Sequence, residues 1–267
     1  MSAVRASLTF VVDTGVTPVA ATHGPGGRLR RYEGTFETHE VTLADAREAA
    51  DPPRLDREGF ARADHATAVR DFHDEDELAR LYHPEVERLL VETTGARRVV
   101  VFDHTVRSAD AAEAAAGLLR EPVRIAHNDY TEWSGPQRLR DVLPDEAETL
   151  SARRFAIVQV WRATHEPIAA DPLALCDARS VRPEDLVKSE RRHLDRVGEI
   201  YQLAFHPDQR WWHVPALRRD EALVFVVYDS ATDGRARFTP HASFEDPTAP
   251  PDAPPRRSIE ARALCLF

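Results

Sequence analysis

The sequence predicts a mainly β, α+β domain with flanking helices, its core a cupin-like jelly roll or double-stranded β-helix. Three observations predict it. After residue 96, eight short segments rich in Val, Ile, Phe, Tyr and Trp follow one another, broken by Pro, Asp and Gly. No regular βαβ alternation interrupts them. Ahead of them, one long segment carries a clear helical period. The 267 residues are expected to form a single domain, with 1–95 as an N-terminal strand and helix extension and 96–267 as the jelly-roll core.

The elements follow in order. "SLTFVV" (7–12) is a strand, and the Gly/Pro-rich "THGPGG" after it is a loop. "RYEGTFETHEVTL" (31–43) alternates in part and reads as one or two strands, before a polar connector with two prolines. "HDEDELARLYHPEVERLLVETTG" (73–95) is the helix. Acidic residues crowd its first turn, where the helix dipole favours them. Leu78, Leu81, Val86, Leu89 and Leu90 form an apolar stripe, and Gly95 supplies a stop. Pro84 must kink this helix or split it.

The eight strands are then "RRVVVFDHTV", "PVRIAHND", "RFAIVQVWRA", "GEIYQLAF", "RWWHVP", "EALVFVVYDS", "RARFTPHASF" and "RSIEARALCLF". "SADAAEAAAGLLR", after the first of them, is a helix or a mobile loop. "FEDPTAPPDAPPRR" has five prolines in fourteen residues and reads as a stiff surface loop between two strands.

Composition narrows the function classes. Apolar residues make up 42%, enough for a sizeable core. The net charge is −10 and no Lys/Arg block stands out, which argues against nucleic acid or an anionic membrane as partner. The mixed-sign run "RSVRPEDLVKSERRHLDR" reads as a solvated helix face. Cys176 and Cys265 are too few for a disulfide framework, so a reducing compartment is the simpler expectation. With no leader-like N-terminus and no run near the ~18 apolar residues of a membrane span, a cytoplasmic protein is expected.

The chemistry begins at "RIAHNDYTEW" (124–133). If a strand ends here, His127 and Asp129 point the same way. Alone, H-x-D is better explained by a surface turn. His241 in "RFTPHASF" supplies a third ligand 114 residues later, and a jelly roll brings such an early and a late strand side by side. Two histidines and one carboxylate form the facial triad of non-haem iron(II) oxygenases, with positions left open for co-substrate and oxygen. In "RRSIEAR", residues Arg256, Ser258, Glu260 and Arg262 alternate and share one strand face. An Arg and a Ser two apart can clamp a carboxylate. H-x-D, a distal His and R-x-S is the order found in iron(II)/2-oxoglutarate oxygenases.

Other residues carry two readings each. His104 is a rival ligand or, like Asp103, a buried supporting group. Arg107 and Arg162 bind substrate or form strand-face ion pairs. Trp161, Trp211 and Trp212 are core or pocket wall. Tyr201 hydrogen-bonds the oxoacid or sits in the core. His206 and His213 are expected to face solvent, and Cys176 to be a small buried residue rather than a nucleophile. The segment 107–122, with the region near Tyr32 and Phe36, is a lid over the site or an ordinary surface helix.

At this point the chain resembles a known family. "VVVFDHTVR", "RIAHNDYT", "VQVWRA", "GEIYQLAFHPDQRWWHVP", "LVFVVYDS" and "FTPHASFEDPTAPPDAPPRRSIEAR" look like the hydroxylase/desaturase family that includes the cephamycin methoxylase subunit CmcJ, AsaB-like enzymes and gibberellin desaturase. The likeness covers roughly residues 60–267. It implies a non-haem Fe(II), 2-oxoglutarate- and O2-dependent dioxygenase that hydroxylates or desaturates an unactivated C–H bond of a small molecule in secondary metabolism. It implies His127, Asp129 and His241 as iron ligands and Arg256 with Ser258 as the 2-oxoglutarate clamp, with Arg262 on the same face as the alternative. Departures from the family at Val226, at Ala163 and in "QRWWHVP" mark positions expected to line the substrate pocket. Two further readings stay open. One is an accessory or binding subunit acting with a methyltransferase-like partner. The other is a cupin-type metal enzyme that uses no 2-oxoglutarate. A homodimer is a separate partner expectation.

Overall fold

The computed structural model describes residues 3–23, 29–110, 122–165, 167–192 and 197–267. In chain order its strands are β1 (Ala3–Val12), β2 (Val19–His23), β3 (Leu29–Glu33), β4 (Thr35–Asp45), β5 (Phe60–Asp64), β6 (Arg98–Ser108), β7 (His127–Asn128), β8 (Phe155–Ala163), β9 (Leu173–Cys176), β10 (Leu186–Arg192), β11 (Val197–Leu203), β12 (Trp211–His213), β13 (Glu221–Asp229), β14 (His241–Ser243) and β15 (Arg257–Leu266). Its α-helices are α1 (Glu75–Glu77), α2 (His83–Thr94), α3 (Ser134–Val142) and α4 (Ala147–Ser151).

Two sheets face each other, as in a jelly roll. One runs β1-β4-β12-β9-β14-β7-β11-β10-β2-β3, the other β5-β13-β8-β15-β6. Strand alternation turns Phe155, Ile157, Trp161, Leu223, Phe225 and Leu264 of the smaller sheet inward, against Leu173 and Leu175 of the larger. The opposite face of the smaller sheet, with Val158, Val160, Val224 and Ile259, is covered by Leu78, Tyr82, Val86, Leu89 and Leu90. Full burial of each such aliphatic side chain contributes about 1.5–3 kcal/mol. Isolated bridges from Thr9 to Ile125 and from Val11 to Ala204 curl the larger sheet back on itself. Leu8, Phe10, Leu43, Cys176 and Trp211 fill that curl.

The first 95 residues are woven into both sheets, since β1 and β4 lie in the larger and β5 in the smaller. The helix runs unbroken from Glu75 to Thr94 and absorbs Pro84 through a π turn just before it. Asp74 caps its start by accepting from the Asp76 and Glu77 amides. Leu78–Tyr82 forms that π turn, in which the His83 amide reaches back to the Leu78 carbonyl, and Pro84 follows it in the first turn of α2. Gly95, at φ 72°, closes α2 in the left-handed region.

Three expectations change. "RSVRPEDLVKSERRHLDR" is no helix face among its described residues: Pro183–Asp185 is a single 3-10 turn and Leu186–Arg192 is β10, which pairs with β11 and β2. Its alternating charges follow a strand period. "RARFTPHASF" keeps only His241–Ser243 as strand, because Pro240 has no donor for a ladder. Helix α3 has no counterpart in the sequence reading, because "SGP" looks like a breaker. Pro136 lies in its first turn, where no donor is needed. Gly135 lets it touch the sheet: a Cβ there would lie 2.5 Å from the Tyr228 ring. Residues 111–121 of the expected lid lie outside the described residues.

Candidate metal centre

The sheet brings the two histidines together. His241 on β14 pairs directly with His127 on β7, and Asp129 follows β7 by one residue. One ligand atom from each of the three lies within 4.8 Å of the others, and all three residues are buried. His127 Nδ1 is 2.8 Å from the Ile125 carbonyl and His241 Nδ1 is 3.0 Å from the Thr239 carbonyl. Each Nδ1 therefore carries the proton and donates it to that carbonyl, which puts the lone pair on Nε2. Burial, with His241 beside it, lowers His127 to about 3, and burial lowers His241 as well. Both rings are neutral near pH 7, the form that binds metal.

Asn128 holds the two segments in register. Its Nδ2 donates to the carbonyls of Tyr130 and Val227, and its Oδ1 accepts from the Thr239 amide. One fully buried amide thus ties the H-x-D segment to the chain entering His241 and to the smaller sheet.

Asp129 is held on one side. Its Oδ2 accepts from Arg262 Nε at 2.9 Å and from Gln159 Nε2. Its Oδ1 lies 3.7 Å from His127 Nε2 and 3.6 Å from Arg191 Nη1. Burial pushes the Asp129 carboxyl up, but Arg262 and the nearby histidines more than reverse this and hold it well below the usual carboxylate range. A carboxylate and two neutral imidazoles, all facing one point, fit a divalent iron ion.

Behind the triad is a small cavity lined by Trp161, Leu173, Ser243, Arg256 and Glu260. Arg256 Nη1 donates to the Asp171 carbonyl at 2.9 Å and to Ser243 Oγ at 3.1 Å, and the guanidinium lies 5.4 Å over the Trp161 ring. Its Nε, and the Ser258 Oγ two residues along the same face, are buried with no partner among the described residues. Burial, with Arg107 nearby, lowers the Arg256 guanidinium to about 9. Unmet donors in a cationic pocket beside a metal triad fit the carboxylate of 2-oxoglutarate. Each of the three nitrogens of Arg262 already faces a carboxylate. Besides Asp129 it donates to Asp103 at 2.8 Å and Glu260 at 2.6 Å.

The remaining candidates divide by strand face. Arg107 reaches the cavity and is also an ion-pair residue, bonded twice to Glu260. Tyr201 sits opposite Asn128 with its ring edge-on to Phe238, while its neighbours Ile200 and Gln202 line a small apolar recess beside His127. Arg162 lies on the far face of β8, bonded to the His65 carbonyl and over the Tyr82 ring. Val226 packs on the far face of β13 and lines a separate outer cavity. Trp211 belongs to the curl of the larger sheet. His104 pairs with His83 and Glu75 instead of joining the triad. His213 is buried, its ring edge-on to Phe244, and does not face solvent.

Two residues at the site escape the sequence reading. Gln159 is the one polar residue in the inward row of "RFAIVQVWRA", and that was its signal. Arg191 hides in the mixed-charge run, yet it borders the triad cavity, the apolar recess and a wider open cleft. That cleft, with Tyr130, Trp133, Gln137 and Arg138 on its walls, opens at Asp129. Tyr32 borders the apolar recess and Phe36 meets Tyr32 edge-on, so the N-terminal hairpin does stand over the His127 side.

Comparisons with known proteins agree with this geometry. The family model described as "Oxidoreductase/YMDC permease-like domain" matches residues 8–266. The chain is 33% identical to hydroxylase/desaturase CTB9 of Cercospora beticola, over 91% of this chain and 81% of that protein. It is 30% identical to hydroxylase/desaturase efuI of Hormonema carpetanum, over 96% and 92%. The solved structure of the iron and alpha-ketoglutarate-dependent endoperoxidase NvfI superposes with a TM-score of 0.87 at 26% identity, covering 100% of this chain and 98% of that one. Among the described residues no helix is long and apolar enough to cross a membrane.

Proposed function

The chain belongs to the hydroxylase/desaturase family of iron(II)/2-oxoglutarate-dependent dioxygenases, and from that premise we propose which of its residues do the work. It is an oxygenase that uses iron and 2-oxoglutarate on a small molecule. When bound, iron and 2-oxoglutarate activate oxygen to take hydrogen from an unactivated C–H bond. In our reading His127 and His241, through Nε2, and Asp129, through Oδ1, hold the iron. Arg256 and Ser258 take the far carboxylate of 2-oxoglutarate, and Trp161 and Leu173 keep water from it. The substrate enters by the cleft at Asp129, where Tyr130, Trp133 and Arg191 orient the bond to be oxidised.

The observation that carries this reading is the His–Asp–His cluster with both Nε2 lone pairs turned to one point. All of these residues come from one chain, so neither a homodimer nor a methyltransferase-like subunit is needed to complete the site. The accessory-subunit reading gains no support from relatives named as hydroxylases and dioxygenases. An anaerobic titration with Fe(II) and then 2-oxoglutarate tests the proposal. A visible charge-transfer band should grow to one equivalent, and its absence in folded, iron-loaded protein would remove the reading.

A further inference from the structure

We propose that Arg262, helped by Gln159, is the positioning residue that aims Asp129 at the metal. The inference rests on the assignment of Asp129 as an iron ligand. A carboxylate can present either oxygen to a cation, or both. Here Oδ2 is taken by two donors, Arg262 Nε at 2.9 Å and Gln159 Nε2. Oδ1 lies on the side of the histidine nitrogens, 3.7 Å from His127 Nε2, with Arg191 Nη1 3.6 Å away and no hydrogen bond from Arg262 or Gln159.

The two donors come from adjacent strands of the smaller sheet, where Arg262 on β15 stands opposite Gln159 on β8. Asp129 belongs to the larger sheet's side of the jelly roll. The contact therefore fixes the ligand against the opposite wall, so the two sheets together set its angle. Arg262 is itself fixed. Glu260 takes its Nη2 and Asp103 its Nη1, and Arg107 bonds Glu260 twice. A long flexible side chain is thereby locked at its tip, as positioning demands. The chain of alternating charges also lets a guanidinium stay buried near a metal cation, because Glu260 and Asp129 offset Arg107 and Arg262.

The test is Fe(II) affinity, measured anaerobically by titration on Arg262→Gln, Arg262→Lys, Gln159→Leu and His127→Ala. Loss of a group that orients a ligand typically weakens metal binding about 10–100-fold. Arg262→Gln and Gln159→Leu should both fall in that range, and Arg262→Lys should recover part of the loss. The position of the charge-transfer band with 2-oxoglutarate should shift in both weakened variants. Gln159→Leu keeps the inference testable if Arg262→Gln does not fold. Wild-type Fe(II) affinity in Gln159→Leu and in either folded Arg262 variant, while His127→Ala loses iron, would overturn the role of Arg262 and leave the triad standing. Parent Fe(II) affinity in His127→Ala would remove His127 from the triad, and parent Fe(II) affinity in Asp129→Ala, measured alongside, would bring down the assignment of Asp129 and this inference with it.

Discussion

Arg256 and Arg262 lie six residues apart on one inward face beside the same strand, and both are buried, yet their surroundings differ. Every nitrogen of Arg262 meets a carboxylate: Asp129, Asp103 or Glu260. Arg256 meets a carbonyl, a hydroxyl and an aromatic ring, and its Nε meets nothing among the described residues. A buried charge is tolerable when paired and expensive when not. A saturated arginine is thus part of the protein's own framework. One held by weak neutral partners is poised for an anion from outside. In the proposed reading, β15 and the residue before it carry the means of aiming the metal ligand at one end and of receiving the oxoacid at the other.

The harshest way to break this comparison is to remove the triad. His127→Ala, Asp129→Ala and His241→Ala should each abolish iron binding while far-UV circular dichroism stays that of the parent, since a site at the mouth of a jelly roll adds less to folding than a structural zinc does. Asp129→Ala should differ from the other two in stability. It strips Arg262 of the buried carboxylate on its Nε, and removing one partner of a buried pair costs about 3 kcal/mol or more. Denaturant midpoints that are equal for Asp129→Ala and His127→Ala would mean that Arg262 does not depend on Asp129.

Glu221 extends the comparison to a saturated buried charge away from the site. Its carboxylate takes two hydrogen bonds from Arg47 at 2.7 and 2.6 Å, one from Arg62 and one from the Arg218 amide. Burial pushes the carboxyl up, and Arg47 and the Arg218 amide more than reverse it, bringing it from 4.5 to about 2. The folded value is depressed, so the stability is fully present above the unfolded value and is lost as pH falls through 4.5 towards 2. At about 1.36 kcal/mol per pH unit, the contribution is about 3 kcal/mol. Urea unfolding between pH 6 and pH 3 should show the parent losing more stability than Glu221→Gln, and parallel profiles would count against a saturated Glu221.

Arg256→Ala should act on ligand and not on iron. A hydrogen bond to a charged group is worth about 1.5–3 kcal/mol, so the 2-oxoglutarate requirement should rise about 10–100-fold with Fe(II) affinity unchanged. If Arg262→Ala produces that selective effect and Arg256→Ala does not, the two roles are exchanged.

The sequence made the shared face of these arginines legible but not their roles. A period of two assigns a side of the strand; which carboxylates wait on that side depends on the facing sheet. The triad was legible because H-x-D fixes a spacing and the jelly roll fixes the pairing of β7 with β14. Arg162 was left open and Val226 was misplaced for the converse reason. Their strands are buried on both faces, so apolar residues run on without alternation and the phase cannot be read. Arg191 was hidden because a strand of alternating charges resembles a solvated helix when composition alone is weighed. Trp211 was ambiguous because the curl of the larger sheet depends on single bridges between residues far apart in the chain.

The smallest expected effect is also the sharpest test of the comparison. Ser258 is fully buried and its hydroxyl has no partner among the described residues. If it were framework, like Arg262, replacing it with alanine would lose a hydrogen bond and lower stability by about 1 kcal/mol. If it waits for the oxoacid, the ligand-free protein gains from losing an unsatisfied polar group, while 2-oxoglutarate loses a donor. Ser258→Ala should therefore be neutral to slightly stabilising, within about 1 kcal/mol, in urea unfolding without ligand. The same variant should bind 2-oxoglutarate several-fold more weakly in the anaerobic titration, because each unit of kcal/mol near that size is worth about a fivefold change. Two signs, one for stability and one for affinity, are read from a single substitution. A fall in both would return Ser258 to the framework and leave Arg256 to bind the carboxylate alone.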